Sequence, residues 1–184
     1  MKLAEYRKKR DPTATNEPFG PEPPAEVAPT LVGAFVIHQH AATRMHWDVR
    51  LEMGGVLCSF AVPRGPSLDP AEKRLAVHTE DHPLEYLDFE AVIPEGQYGG
   101  GPMIVWDRGR VRYLEGPAEE ELARGKLDLE FEGMKTRGRF AFVKIKNAKE
   151  NEWLFFKKQD AFARAGEPEL VDDKPRSILS GLTV

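Results

Sequence analysis

From residue 31 onward the chain alternates apolar and polar residues, the period of a half-buried strand rather than of a helix. The alternation predicts strands over 31–38, 47–53, 56–62, 74–79, 86–92, 103–107, 110–114, 127–132, 139–145 and 152–157. Residues 40–45 read as a helical turn or a loop. Gly54-Gly55 separates two alternating runs and predicts a two-residue hairpin turn. Pro63-Arg64-Gly65-Pro66 breaks the chain. One helix is predicted over 117–124, opened by Pro117, acidic in its first turn and stopped by Gly125. About nine or ten short strands joined by tight turns specify an all-β, mainly antiparallel fold, a sandwich or a barrel.

The organisation predicted is a proline-rich N-terminal arm over 1–30, a single compact β-domain over 31–160 and a C-terminal extension over 161–184. Prolines at 12, 18, 21, 23, 24 and 29 favour extended polyproline backbone over helix or central strand in the arm. Composition alone favours a disordered leader. The competing reading is an ordered arm that brings Arg10, Asp11 and Glu17 to a site.

Bulk properties narrow the function classes. The 184 residues suit one domain with one core, and 41% hydrophobic against 30% charged residues is a globular balance. No apolar run reaches the ~20 residues of a membrane-crossing helix, and the N-terminus carries no apolar signal core. One cysteine, Cys58, fits a reducing, cytoplasmic setting and reads as core filler. A net charge of −4 argues against coating nucleic acid through bulk charge, yet allows an enzyme that grips a strand end with a few placed cations.

The chemistry concentrates in residues 38–52, which hold three of the five histidines; the other two are His78 and His82. If 46–52 is one strand, His46, Asp48, Arg50 and Glu52 share a face, while Trp47, Val49, Leu51 and Met53 share the other. His40 returns from the preceding strand or loop. Two imidazoles and a carboxylate suit a divalent transition metal with open positions. Arg50 is no ligand, but its guanidinium fits a phosphate or carboxylate beside the metal. His38 shares the side of His40 and is a candidate orienter, substrate contact or polar core residue. His82, extended before Pro83, is a candidate general acid or phosphate donor. His78 reads as structural. The glycine-rich 95–101 stretch lacks the ending of a P-loop and reads as a connecting loop.

These residues resemble a known family, the 3′-phosphoesterase domain associated with bacterial and archaeal DNA ligase D. The resemblance rests on His40-x5-His46-x-Asp48-x-Arg50-Leu-Glu52, Ala61-Val62-Pro63-Arg64-Gly65-Pro66-Ser67-Leu68-Asp69-Pro70 and Lys73-Arg74-Leu-Ala-Val77. It continues through Asp81-His82-Pro83-Leu84-Glu85-Tyr86, Ile93-Pro94-Glu95-Gly96-x-Tyr98-Gly99, Trp106-Asp107-x-Gly109 and the segment 153–158. Arg10-Asp11 and Glu17 fall at the family's spacing. The resemblance implies a compact β-barrel with one or two short helices and an ordered arm. It implies a manganese enzyme that removes a 3′-terminal ribonucleoside from a DNA primer to leave a 3′-phosphate, then hydrolyses that phosphate to a 3′-hydroxyl. His40, His46 and Asp48 would hold the metal; Arg50 and His82 would contact the phosphate, with Tyr86 nearby. Arg10, Asp11, Glu17, Arg64 and Arg74 would support the site or the substrate. The implied partners are primer-template 3′ ends, ligase and polymerase modules of the DNA ligase D type, and Ku. Two departures stand out: the family commonly has glutamine at the place of His38 and lysine at that of Arg64. The competing expectations are a β-barrel non-haem iron 2-oxo acid oxygenase, from the His46-x-Asp48 pattern, and a non-catalytic DNA-end-binding module.

Overall fold

The computed structural model describes residues 2–184. Nine strands form: β1 Val32–Ala41, β2 Met45–Met53, β3 Val56–Val62, β4 Arg74–His78, β5 Ala91–Ile93, β6 Gly101–Tyr113, β7 Lys126–Gly133, β8 Arg137–Lys144 and β9 Glu152–Lys157. They pair antiparallel in the order β1-β2-β3-β4-β9-β8-β7-β6-β5, and β1 also pairs with β6. That last pairing closes a barrel of every strand except β5, which hangs on β6 outside the ring. Closure leaves the ring no free edge and settles the choice between sandwich and barrel.

The interior is filled with side chains. Phe35 and Ile37, Val49 and Leu51, and Phe60 and Val62 point inward from β1, β2 and β3 and are fully buried. Phe142 packs on Phe155 with ring centroids 4.3 Å apart, and Phe35 on Phe131 at 4.4 Å. Each such ring contributes about 1.5–3 kcal/mol of burial.

A second apolar layer lies on the outer wall. Val36, Leu57, Met103 and Val105 face outward and pack against Tyr6 of the arm and against Tyr86 and Ile93. The face that alternation marks as polar is therefore covered: His38 is 0%, Arg50 2% and Asp48 6% exposed. The site is built between the wall and this cover.

Four local expectations change. The arm is ordered; it carries a helix, α1 Ala4–Lys8, ahead of its first proline, and buries Leu3 and Tyr6. Residues 86–92 are not a strand: after Pro83 a 3-10 turn spans Leu84–Asp88, with the Tyr86 amide donating to Pro83 O at 3.1 Å, and only the short β5 follows. That segment meets the outer wall rather than a strand edge, so its apolar residues pack instead of pairing. The separate strands expected at 103–107 and 110–114 are one, because Gly109, which reads as a break, leaves the Cβ-free space that Glu132 O occupies on β7. β1 runs on to Ala41, so the connection to β2 is a tight bend over 42–44.

Helix α2, Ala118–Arg124, follows Pro117 and ends at Gly125 with φ 79°, as its punctuation predicts. The C-terminal extension carries α3, Leu170–Asp173, which covers the barrel with Leu170 and Val171. No helix is long and apolar enough to cross a membrane among the described residues.

Candidate active site

Register builds the site. The tight 42–44 bend pairs His40 with His46 and His38 with Asp48 across β1 and β2. The Gly54-Gly55 turn, both residues at positive φ, sets Arg50 opposite Ser59 across β2 and β3. Six polar residues on adjacent strands thereby share one patch of the outer wall.

His40 Nδ1 lies 3.7 Å and His46 Nε2 3.4 Å from the same atom, Asp48 Oδ2. The other nitrogen of each ring meets a backbone carbonyl: His40 Nε2 meets Gly99 O at 2.7 Å, and His46 Nδ1 meets Arg44 O at 2.9 Å. A carbonyl only accepts, so those nitrogens carry the protons and the two lone pairs face Asp48. This is the carbonyl-oriented imidazole arrangement of metal ligands, with the tautomers fixed in advance. The donor set of two nitrogens and an oxygen fits a divalent transition metal, and the three ligand atoms lie within 4.8 Å of one another. Burial opposes ionisation of Asp48, but the Arg50 charge beside it holds its carboxyl well below the usual range. Asp48 is therefore an anion, ready to ligate.

Arg50 is held on three sides. Its Nε donates to His38 Nδ1 at 3.2 Å, Nη1 to Ser59 Oγ at 2.9 Å and Nη2 to Asp48 Oδ2 at 3.0 Å. The Tyr86 ring lies 5.0 Å from its guanidinium carbon. His38 Nδ1 must be the acceptor, so its Nε2 donates to Phe89 O at 3.0 Å. Burial, then the Arg50 charge, pushes the His38 pKa down to about 3, so the ring stays neutral. His38 thus positions Arg50 from behind and does not line the cleft.

His82 faces the same floor. Its Nδ1 lies 2.9 Å from Glu80 O, and Arg10 Nη2 is 3.4 Å from its Nε2. Burial, followed by the charges of Arg50 and Arg10, keeps its pKa well below the ordinary value of 6.5. His82 is a neutral imidazole with its Nε2 lone pair turned to Arg10 Nη2 at the cleft. The arm supplies Arg10, whose Nε donates to Glu17 at 2.8 Å and whose Nη1 donates to Glu80 at 3.0 Å, all three side chains at most 5% exposed. The Tyr86 hydroxyl donates to Glu17.

Arg10, Glu17, His40, His46, Asp48, Arg50, His82 and Tyr86 line one cleft of about 470 Å³. Asp11 is not among them: it is exposed and caps its own turn through Thr13. Arg64 is exposed and paired with Glu72 and Glu169. Arg74 is buried, donating to Arg64 O and Gly65 O and pairing with Glu169 at 2.7 Å, so it holds the 63–66 turn rather than a ligand. A larger polar cleft of about 600 Å³, between the 67–72 loop and the C-terminal extension, holds none of the predicted residues. Sequence reasoning missed Ser59, Glu80, Tyr6, whose ring lies 4.0 Å from the Arg10 guanidinium carbon, and Tyr98, which lines the cleft 5.1 Å from it. Ser59 was within reach, since the Gly54-Gly55 turn fixes its partner; nothing in the local pattern marks the other three.

The DNA Ligase D 3′-phosphoesterase domain model matches residues 38–144. Over 184 residues the chain is 44% identical to the multifunctional non-homologous end joining protein LigD of Pseudomonas aeruginosa, covering 99% of this chain and 22% of that one. It is 42% identical over 165 residues to the protein of the same name from Mycolicibacterium smegmatis, covering 86% and 21%. The Mycobacterium tuberculosis DNA repair protein LigD is 39% identical over 153 residues, covering 83% and 19%. The chain spans about a fifth of the length of these relatives.

Proposed function

The chain belongs to the DNA ligase D 3′-phosphoesterase family, and from that premise we propose that it is a manganese-dependent phosphoesterase that heals DNA 3′ ends. It would remove a terminal ribonucleoside to leave a 3′-phosphate and hydrolyse that phosphate to a 3′-hydroxyl. The observation that carries the reading is the convergence of His40 Nδ1, His46 Nε2 and Asp48 Oδ2 beside a guanidinium with donors to spare. Family membership leaves the oxygenase reading without support.

His40, His46 and Asp48 would hold the metal, which would supply Lewis-acid polarisation of a phosphoryl oxygen. A guanidinium has five N–H donors; three of those of Arg50 are used within the wall. The two that remain, one on each terminal nitrogen, match the bidentate hold on a phosphate. Because the guanidinium is fixed before substrate arrives, no reorganisation is needed as charge develops. His82 meets the substrate as a proton acceptor, suited to take a proton from the attacking hydroxyl or water. Once protonated it becomes a donor to the phosphoryl group, whose negative charge stabilises that form. Tyr86 and Glu17 hold the arm, and with it Arg10, over His82.

The partners proposed are primer-template 3′ ends, acting alongside ligase and polymerase modules and Ku in end joining. The test is a labelled duplex whose primer ends in a ribonucleotide, followed over time with a panel of divalent metals. A shortened 3′-phosphate species should appear and then give way to a 3′-hydroxyl species, and Asp48→Ala should abolish both. An unchanged primer with every metal, or an Asp48→Ala protein as active as the parent, would refute the proposal. Equal DNA affinity with and without chelator, and no product, would leave a binding module.

A further inference from the structure

Cys58, His78 and Asp81 form a second cluster, separate from the catalytic one, whose ligand atoms all lie within 4.8 Å of one another. Cys58 points into the barrel from β3, and the Phe60↔His78 pairing puts His78 on the same inward side of β4, its ring stacked on Phe60 at 4.8 Å. The pairing of β3 with this part of the chain then slips by one residue, from Phe60↔His78 to Leu57↔His82. The extra residue splits the neighbours of His82: Glu80 turns to Arg10 on the outer wall, and Asp81 turns to Cys58 and His78.

We propose that Cys58, His78 and Asp81 are a second metal site, selective for zinc, at the end of the barrel. Cys58 Sγ and His78 Nε2 are 3.3 Å apart. Zinc bonds of about 2.3 Å to sulfur and about 2.1 Å to nitrogen give a tetrahedral S···N edge of about 3.6 Å, so a shift of a few tenths of an ångström suffices. Burial, then the charge of Lys144, keeps His78 neutral, the form that ligates. The Asp81 carboxyl is pushed up to about 6, first by burial, and no hydrogen bond offsets that cost. A half-buried carboxylate without a donor is what a cation would repay. The nearby Lys2 ammonium is engaged with Gly54 O.

The chemistry separates the two sites. A thiolate favours zinc or cobalt, whereas the two-imidazole, one-carboxylate set of the catalytic site has no sulfur. Binding releases the Cys58 thiol proton to solvent and leaves the fourth position for water. Its consequence is positional: β3 and the 79–82 segment that carries Glu80 and His82 become fastened to one ion.

Metal-free, reduced protein titrated with Co²⁺ tests the site, because a thiolate ligand adds a near-ultraviolet charge-transfer band that nitrogen and oxygen ligands do not. The parent protein and an Asp48→Ala variant should both show the band, and Zn²⁺ should bleach it. Cys58→Ser should lose the band and still take up one equivalent of Co²⁺. Asp81→Asn should keep the band with at least tenfold weaker binding, and it decides the matter if Cys58→Ser fails to fold. No thiolate band in the parent at saturating Co²⁺, or an unchanged midpoint in Asp81→Asn, overturns the proposal.

Discussion

Replacing Arg50 with lysine keeps the charge and removes the fork, which separates electrostatics from geometry at the proposed phosphate site. The guanidinium is 2% exposed and bonded to His38, Ser59 and Asp48. A lysine ammonium can keep Asp48 but cannot also reach both other acceptors from one point. Ser59 has a second partner in Leu57 O at 3.2 Å, so His38 Nδ1 is the group left without a donor. An unsatisfied buried acceptor costs about 1–3 kcal/mol, which at roughly 2–4 °C per kcal/mol lowers Tm by about 2–12 °C. Loss of the two-point hold on phosphate should remove about 2–4 kcal/mol from the transition state, a fall in kcat/KM of about 30- to 900-fold. The assay is steady-state release of phosphate from a 3′-phosphate primer, with thermal melting run beside it. Metal affinity should change little, since Asp48 keeps a cationic neighbour. An Arg50→Lys enzyme within threefold of the parent would refute the bidentate role.

His38→Gln should be nearly neutral in rate and Tm, because an amide oxygen can accept from Arg50 Nε while its NH₂ donates to Phe89 O; His38→Leu, with no acceptor, should lose at least tenfold in kcat/KM in the same phosphate-release assay. Arg10→Met leaves Glu17 buried without a cation, while Glu80 keeps Lys9 at 2.8 Å, and urea melts should show a loss of about 3 kcal/mol; adding Glu17→Gln should recover part of it. His82 is more basic unfolded than folded, so the unfolded chain binds more protons and stability falls as pH drops below about 6.5. Against a His82→Asn reference, urea melts from pH 7 to 5 should show this loss steepening toward about 1.4 kcal/mol per pH unit, about 2 kcal/mol in all; equal slopes would show that folding does not depress the His82 pKa. Chelation should abolish both proposed activities in the primer assay, and added Mn²⁺ should restore them.

Local chemistry was legible in the sequence where a residue's neighbours are set by short-range geometry. Alternation put Asp48 and Arg50 on one strand face with His46, and Gly54-Gly55 gave the hairpin that brings Ser59 opposite Arg50. The arm was the contrary case: composition argued for a disordered leader, and the family spacing of Arg10 and Glu17 argued for an ordered one. Its order comes from Leu3 and Tyr6, which bury against a wall that no local pattern shows to be apolar on its outer side.

By itself, then, the chain determined the strands, the tight turns and the donor types, because backbone sterics and side-chain period act over a few residues. Barrel closure through β1 and β6, the burial of a polar face under the arm, and the delivery of His82 and Arg10 to that face were decided only in three dimensions. They join residues as far apart as 80 positions, Tyr6 and Tyr86, and such contacts depend on what the whole fold buries rather than on any local pattern. His38 shows the difference most clearly: its place beside the proposed metal ligands was plain in sequence, and its task, holding Arg50 from behind, appears only once Phe89 O closes over its other nitrogen.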